Sequence, residues 1–325
     1  MKTIYTYLIV ALVVIGCAAC NNEWSEEQYE HYVSFKAPNV PQSIYVRYNK
    51  DGKVTYKLPI IVSGSTKHED DIDVHVKLDP DTLEAFNEIR FGTRTDIYYR
   101  ELPSSFYQFD EVTHVPGGQD VQLLDLNFSL KGIDMVEKWV LPLQVAKGAD
   151  YGYTPHPRQY YSKALLRVIP FNEFSGNYST TTMEVYNLDD EGNRIGGAIV
   201  GNSRTGFVVN DSTIFFYAGL VDQELKQRAM YKIFAKFNSD KTMTFWSENP
   251  EINFKMTKIP SYSIANIMDA TRPYLLHRYV TFTVEYTFDD LHSASVPLHY
   301  QVKGTMALER NINTQIPDED QAIEW

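Results

Sequence analysis

Cysteine is nearly absent from this sequence of 325 residues, and its position is informative. The chain has two cysteines, Cys17 and Cys20, and both lie within the first twenty residues. Residues 21–325 therefore contain no disulfide bond and no cysteine-ligated zinc site. If the chain is exported, its body must be stabilised by an apolar core instead of by disulfide bonds.

Basic residues are also scarce. The 30 Lys and Arg residues face 42 Asp and Glu residues, which gives a net charge of −12. Binding to nucleic-acid phosphates requires clustered Lys and Arg, so the composition argues against a nucleic-acid-binding protein. A hydrophobic content of 43% is high enough to form a core, and this excludes a largely disordered chain.

No apolar run reaches the length of about 20 residues that a transmembrane helix needs. Residues 4–19 follow Lys2, are mostly apolar and end in small residues, which indicates a signal peptide. The Ala-Ala pair at 18–19 precedes Cys20, and the chain turns polar directly afterwards. We predict a lipoprotein signal at 1–19 with lipidation of Cys20; Cys17 is the alternative. A plain secretory signal is the weaker interpretation.

Residues 20–33 form an acidic tether that resembles the export signal of surface lipoproteins from Bacteroidetes. The resemblance implies a protein that is anchored by lipid to the outer membrane and faces the cell exterior.

Catalytic and ligand-binding motifs are missing. The eight histidines show no HExxH spacing, and the sequence has no P-loop, no GxGxxG and no GxSxG elbow. A pair of catalytic carboxylates cannot be located among 42 acidic residues, because their separation depends on the fold. The sequence therefore predicts no metal site, no cofactor and no enzymatic activity.

Short strands separated by turns dominate the pattern, and Tyr (23) and Phe (17) are abundant. Apolar residues alternate with polar ones over 72–78 and again over 280–288, as in half-buried strands. Residues 231–237 and 242–246 flank a loop of turn-forming residues and predict a hairpin. Only 81–89 and 222–228 are predicted to be helical. The pattern favours an all-β protein.

A domain boundary is expected at about residues 169–172, where an apolar strand ends at a Pro-Phe-Asn sequence. The predicted domains are 34–171 and 172–325. We expect an N-terminal immunoglobulin-like β-sandwich followed by a second antiparallel β-sandwich or barrel.

Several motifs carry a resemblance to known families. The first half resembles the DUF1735 family of glycan-utilisation lipoproteins from Bacteroidetes, on residues 60–64, 72–78 with Leu83 and Asn87, 99–103 with Tyr107, 116–118 and 139–143. The second half resembles its frequent companion, DUF4973, on residues 174–178, 215–219 and 228–231. The resemblance implies a surface lipoprotein from a glycan-utilisation locus that binds carbohydrate beside an outer-membrane importer.

Sugar rings stack on exposed aromatic side chains while polar neighbours bind the hydroxyl groups. Trp246 is the first candidate, because the pattern of 242–246 places it on the polar face of its strand, beside Glu248 and Asn249; packing at a sheet edge or between domains is the alternative. Trp139, in an apolar strand, is interpreted as core. The remaining candidates for glycan binding are Tyr98, Tyr99, Arg100, Tyr160 and Tyr161.

Two functions remain open. The first is a non-catalytic glycan-binding lipoprotein of the cell surface whose partners are a polysaccharide or oligosaccharide, the outer membrane and components of the importer. The alternative is a structural or assembly subunit of the same uptake system with no sugar site of its own. Buried aromatic residues at domain or partner interfaces would favour the second function.

Overall fold

The computed structural model describes residues 31–37 and 40–325, without the side chains of residues 159 and 160. Nearly all regular structure in this part is β. The strands are β1 (Tyr32–Phe35), β2 (Gln42–Arg47), β3 (Lys53–Ser63), β4 (Ile72–Leu78), β5 (Tyr99–Glu101), β6 (Tyr107–Gln108), β7 (Val112–Val115), β8 (Val121–Ser129), β9 (Lys138–Val145), β10 (Thr154–Pro155), β11 (Lys163–Phe171), β12 (Gly176–Ser179), β13 (Glu184–Leu188), β14 (Arg194–Val200), β15 (Ser203–Val208), β16 (Thr213–Tyr217), β17 (Lys232–Phe237), β18 (Met243–Trp246), β19 (Lys255–Met256), β20 (Tyr262–Met268), β21 (Leu275–Asp290), β22 (Leu298–Asn313) and β23 (Ile323–Glu324). The helices are α1 (Pro80–Phe91) and the short α2 (Gln159–Ser162).

The first half of the chain forms two sheets that enclose an apolar core. One sheet has the order β10-β1-β3-β8-β6, and the other has the order β2-β11-β9-β4-β7 with β5 beside β9. Alternate residues of the facing strands are buried, and Ile60, Leu126 and Val74 among them are 0% exposed. The period-two pattern of these strands thus gives a β-sandwich, as the sequence predicts.

Helix α1 covers part of the outer face of the second sheet. It begins after Asp79, whose carboxylate accepts hydrogen bonds from the backbone N (3.4 Å) and Oγ1 (2.6 Å) of Thr82. Its Leu83 packs with Val140 of β9 and Leu165 of β11. The predicted helix at 81–89 is confirmed, and it leaves the rest of this outer face open to the second half.

The second half forms one large curled sheet. Its main path is β14-β13-β22-β12-β15-β16-β17-β18, and β21 pairs with β22 over sixteen residue pairs while β20 pairs with β21. A bridge between Thr242 and Ser261 joins the region of β18 to the start of β20, so the strands curl around a core rich in Phe and Tyr. The predicted strand at 280–288 lies inside β21, and the predicted hairpin is β17–β18.

The helix predicted at 222–228 is wrong. Residues 222–227 form turns, and a single 3-10 turn follows at Arg228–Tyr231. The carboxylate of Asp222 accepts a hydrogen bond from the backbone N of Glu224 (2.9 Å), which closes a tight turn in place of a helical one. Arg228 donates to the backbone O of Leu225 within this segment and also to backbone carbonyls of the first half.

Candidate functional site

The two halves meet along the outer face of the second sheet, and a groove runs between them. It consists of two adjoining cavities of about 400 Å³ and 340 Å³. Both cavities are lined by Met135, Arg167, Thr205 and Phe207, so they form one continuous space, which we call the interdomain groove. Small-molecule sites occur preferentially at domain interfaces, and such a groove is therefore the first candidate for a ligand site.

An aromatic platform lines the larger cavity. The ring of Trp325 stacks on Tyr45 with a centroid distance of 3.8 Å and an interplanar angle of 2°. Phe171 contacts Trp325 edge-on at 4.7 Å. Trp325 is 52% exposed, so one side of this platform is open to a ligand. A half-exposed indole above a ligand-sized cavity is suited to stacking against the apolar face of a sugar.

Arg310 supports this platform from below. Its guanidinium donates to the backbone O of Asn172 (3.1 Å) and of Ser175 (2.8 Å), and it lies 5.6 Å from the ring centroid of Phe171 and 5.5 Å from that of Trp325. Burial lowers the pKa of Arg310 to about 10, so it stays charged at neutral pH. Its donors are used to fix the segment between β11 and β12, which positions the aromatic rings.

The smaller cavity combines aromatic and charged side chains. Tyr99, Trp139 and Tyr217 line it together with Glu137 and Glu224. The Nζ of Lys138 lies 3.3 Å from the Oε1 of Glu224 across the two halves. Aromatic faces beside hydrogen-bonding groups are the combination that carbohydrate binding requires.

Several contacts lock the halves together beside the smaller cavity. Arg228 is 5% exposed and donates to the backbone O of Asp96 (3.2 Å) and of Val136 (3.3 Å). Lys232 forms an ion pair with Asp134 at 3.2 Å. Because a buried guanidinium and an ion pair hold the halves at this end and the stack of Tyr45 on Trp325 joins them at the other, the groove is preformed in the structure.

Trp246, the first candidate from the sequence, lies outside the interdomain groove. Direct cross-strand pairs place Phe207, Phe215, Phe234 and Trp246 side by side on β15–β18, and we call these four residues the aromatic row. Trp246 is half-buried and stacks on Phe234 at 5.2 Å with an interplanar angle of 11°. The row meets the interdomain groove at Phe207, which lines both cavities.

Glu248 and Asn249 line a separate cavity of about 250 Å³ beside Lys232 and Phe234. Asn249 accepts a hydrogen bond from the backbone N of Glu251 (3.1 Å), which caps a 3-10 turn, while Glu248 is exposed. The structure therefore gives Asn249 a structural contact and does not bring this pair into the interdomain groove.

Of the predicted tyrosines whose side chains are described, Tyr99 reaches the interdomain groove; it also packs against Leu83 and its neighbours beneath α1. Tyr98 donates a 2.5 Å hydrogen bond to the backbone O of Gly92, and Arg100 donates to the backbone O of Thr95 (2.8 Å). Tyr161 is 43% exposed and packs edge-on against His156 at 4.6 Å. These three residues thus lie on the surface of the first half.

Three of the predicted positions lie outside the part of the chain that the structure describes. They are the side chain of Tyr160 and the two cysteines, Cys17 and Cys20. Trp139, interpreted as core, is partly buried against the main core and donates from Nε1 to the backbone O of Asp134 (2.8 Å).

Several residues of the groove were not predicted, and they come from distant parts of the chain. They are Tyr45, Phe207, Trp325 and Arg167. Only Arg167 leaves a signal in the sequence, because it is a charged residue inside the apolar run 164–169. The aromatic residues are three among 44, and their meeting depends on the docking of two domains.

The described part of the chain offers neither a metal-binding cluster nor a membrane-spanning helix. Across 31–37 and 40–325, no group of three His, Cys, Asp or Glu side chains has a metal-binding arrangement. None of the helices in the same residues has the length and apolar character needed to cross a membrane.

Family comparisons place the chain among proteins of Bacteroides. A model of DUF4973, a domain of unknown function, matches residues 24–149, and a model of a C-terminal domain matches residues 162–307. The expected position of DUF4973 in the second half is therefore wrong, since its match lies in the first. The motifs used for that placement, at 174–178 and 215–219, are mostly buried strand residues, which many β domains share. No protein of curated function matches.

Solved structures similar to this one extend over nearly the whole chain. A Bacteroides ovatus protein of unknown function is 46% identical, with a TM-score of 0.84, and the match covers 90% of this chain and 100% of that one. A Bacteroides ovatus multidomain protein that includes DUF1735 is 45% identical, with a TM-score of 0.83 and coverage of 90% and 100%.

An auxiliary nutrient binding protein from Bacteroides thetaiotaomicron is 40% identical, with a TM-score of 0.82, and the match covers 91% of this chain and 100% of that chain. Identities of this size over both halves exceed what a shared fold alone would give. The chain therefore belongs to the same family as these Bacteroides proteins, the family that includes the DUF1735 multidomain protein.

Proposed function

We propose that this chain is a non-catalytic, glycan-binding surface lipoprotein that serves an outer-membrane polysaccharide uptake system, and that the glycan lies in the interdomain groove. The observation that carries the proposal is the platform of Tyr45, Phe171 and Trp325 above a cavity of about 400 Å³. A 40% identical relative is described as an auxiliary nutrient binding protein, which supports a nutrient ligand.

The preformed groove also agrees with a binding role. Arg228 joins the two halves through buried hydrogen bonds and Tyr45 stacks on Trp325 across them, so a ligand would not have to order the halves. A binding protein near an importer gains from weak sites that release their ligand, and avidity comes from many copies on one polymer.

Affinity gel electrophoresis of the purified protein against plant and host polysaccharides tests the binding. We expect retardation by at least one polysaccharide and no release of reducing ends from it. Retardation by none of a broad panel would contradict the proposal, and release of reducing ends would contradict its non-catalytic part.

The anchor is tested separately in cells. We propose lipidation of Cys20, with Cys17 as the alternative, and exposure of the protein on the cell surface. Exchange of the lipidated cysteine for Ala should release the protein from the outer-membrane fraction and abolish its cleavage by protease added to intact cells. Unchanged fractionation of both single variants and of the double variant would contradict a lipid anchor.

One observation favours the alternative, an assembly subunit of the uptake system without a sugar site. Strand β14 is exposed along its whole length and pairs only with β13 among the described residues. Its Ile195, Ile199 and Val200 are 53%, 51% and 49% exposed, and an apolar edge strand can pair with another chain. Cross-linking through β14 to a membrane partner, together with a failure to bind any polysaccharide, would favour this alternative.

A further inference from the structure

Arg167 occupies the centre of the interdomain groove. It lies on β11, the strand that pairs with both β2 and β9, and it lines the larger and the smaller cavity alike. Its neighbours on the same face of β11 are apolar: Leu165 is 1% exposed and Ile169 is half-buried. A half-buried arginine on such a face requires a reason, because Arg is rarely placed in apolar surroundings without a partner.

The other cations of the groove have partners. Lys138 pairs with Glu224 at 3.3 Å, and Arg310 donates to the backbone O of Asn172 and of Ser175. Among residues 31–37 and 40–325, the side chain of Arg167 forms neither a hydrogen bond nor an ion pair. The guanidinium instead faces the ring of Tyr99, and Cζ of Arg167 lies 5.8 Å from the centroid of that ring.

A guanidinium without a carboxylate partner is unexpected in a chain with twelve more acidic than basic residues. The groove carboxylates lie beside other cations: Glu137 lies 3.5 Å from Arg100 and 3.8 Å from Arg228, although its buried Oε2 accepts no hydrogen bond from the described residues, and Glu309 lies 2.7 Å from His277. The remaining one, Glu324, is exposed. All five N–H donors of Arg167 are therefore available to a molecule in the groove.

We propose that Arg167 binds an anionic group of the ligand, so that the glycan in the groove is an acidic one bearing carboxylate or sulfate groups. The inference rests on the proposed function, since it assigns a substrate class to the same site. A guanidinium matches carboxylate and sulfate oxygens with two parallel hydrogen bonds, which a neutral hydroxyl group cannot equal. Tyr99 and Phe207 line the same cavity as Arg167 and supply aromatic surface against which the ring bearing the charge can stack.

The net negative charge of the protein would limit the binding of acidic glycans to sites that contain a local cation such as Arg167. A charge of −12 repels a polyanion at long range, so a polyanion gains from the protein only where a local cation is available. Added salt screens the long-range repulsion more than it screens a pair inside a groove. Specific binding should therefore persist when NaCl is added, whereas adventitious ion exchange should not.

The test compares acidic polysaccharides with counterparts that lack one kind of anionic group. Polygalacturonate is paired with its neutral carboxyl-reduced form, and dextran sulfate with neutral dextran. Chondroitin sulfate is paired with chondroitin, which keeps its uronate carboxylates and therefore tests sulfate alone. The purified wild-type protein is compared with Arg167→Gln and Arg167→Lys by affinity electrophoresis and calorimetry. Arg194→Gln is the matched control, because Arg194 lies on β14 and pairs with Gln301 (2.8 Å) outside the groove.

We expect an acidic probe to bind better than its neutral counterpart, and Arg167→Gln to lose about tenfold or more of that affinity. Arg167→Lys should retain part of the affinity, and Arg194→Gln should retain all of it. Preference for carboxyl-bearing over carboxyl-reduced polygalacturonate would identify a uronate as the anion. Preference for chondroitin sulfate over chondroitin, and for dextran sulfate over dextran, would identify sulfate.

Two results would overturn the inference, and they differ in what they mean. If neutral probes bind as well as acidic ones and Arg167→Gln changes nothing, the glycan-binding function stands and the acidic class is wrong. If no polysaccharide binds in the broad panel, the proposed function itself fails and the inference fails with it. Circular dichroism and thermal unfolding of each variant exclude loss of folding as the cause.

Discussion

The interdomain groove and the aromatic row are both rich in aromatic residues, yet they differ in how the rings are used. In the row, neighbouring strands of one sheet bring the rings into direct pairs, and Phe215 and Phe234 are only 2% and 5% exposed. In the groove, Tyr45 and Trp325 come from opposite ends of the described chain, and Trp325 is 52% exposed. Rings paired by strand register cover one another, whereas rings brought together by domain docking leave room for a ligand.

The row is further closed by a cation. The Nζ of Lys232 lies 5.1 Å from the ring centroid of Phe215 and 5.8 Å from that of Phe234, and it pairs with Asp134 of the first half. This arrangement covers the centre of the row and leaves Trp246 half-buried at its end. We therefore interpret the row as mainly stabilising and the groove as mainly binding.

The largest expected effect is on the stability of the row. Phe215→Ala removes a buried ring from the contacts of Phe207, Phe234 and Lys232, and we expect the free energy of unfolding to fall by about 3 to 5 kcal/mol. Trp325→Ala removes a half-exposed ring and should lower it by only about 1 kcal/mol. Chemical denaturation measures both values. Equal losses for the two variants would contradict the assignment of the row as the stabilising surface.

The next effect is on affinity, where we expect a change in the groove to matter more than a change in the aromatic row. Trp325→Ala should lower the affinity for the polysaccharide that retards the wild-type protein by about tenfold, or about 1.4 kcal/mol, because a stacking face is lost. Trp246→Ala should change the affinity by less than about twofold, since Trp246 is less exposed than Trp325 and does not line the interdomain groove. Calorimetry with the same polysaccharide measures both. The reverse order would place the sugar at Trp246, as the sequence alone indicates.

The fold was predictable from the sequence to the extent that local patterns determine it. The alternation over 72–78 became β4, and the turn-forming residues 238–241 became the loop of the hairpin β17–β18, where Lys241 has a φ of 68°. The helix at 222–228 failed because a side chain of Asp222 closes a turn and because Arg228 is drawn towards carbonyls of the other half. Local propensity does not contain that second, long-range contact.

The site was less predictable for the same reason. Tyr99 was a candidate and does reach the groove, but Tyr45 and Trp325 are separated by 280 positions and meet only after the domains dock. Trp246 was correctly placed on the polar face of its strand, together with Thr244. What the pattern could not show is that the neighbouring strands supply Phe234 and Phe215 to the same face, since register across strands is a property of the whole sheet.

The smallest expected effect concerns pH and the wall of the groove. His277 lies between two carboxylates, at 3.0 Å from Asp269 and 2.7 Å from Glu309, and hydrogen bonds to these groups raise its pKa above the ordinary value. Glu309 also lines the larger cavity, so this contact supports the groove and not the row. The four rings of the aromatic row carry no titratable group.

The sign of the pH dependence follows from the direction of this shift. Because the folded state favours the protonated imidazole, the stabilisation by His277 is fully present below its unfolded pKa and is lost as the pH rises through the raised value. His277→Gln should therefore lower the Tm at pH 5.5, by an amount on the order of 1 °C, and leave it nearly unchanged at pH 9. The control is Asn266→Ala on the neighbouring strand β20, since its neutral amide accepts a hydrogen bond from Nε of Arg278 (3.2 Å) and the change in Tm should be the same at both pH values. A larger loss for His277→Gln at pH 9 than at pH 5.5 would show that its carboxylate contacts do not stabilise this wall of the groove.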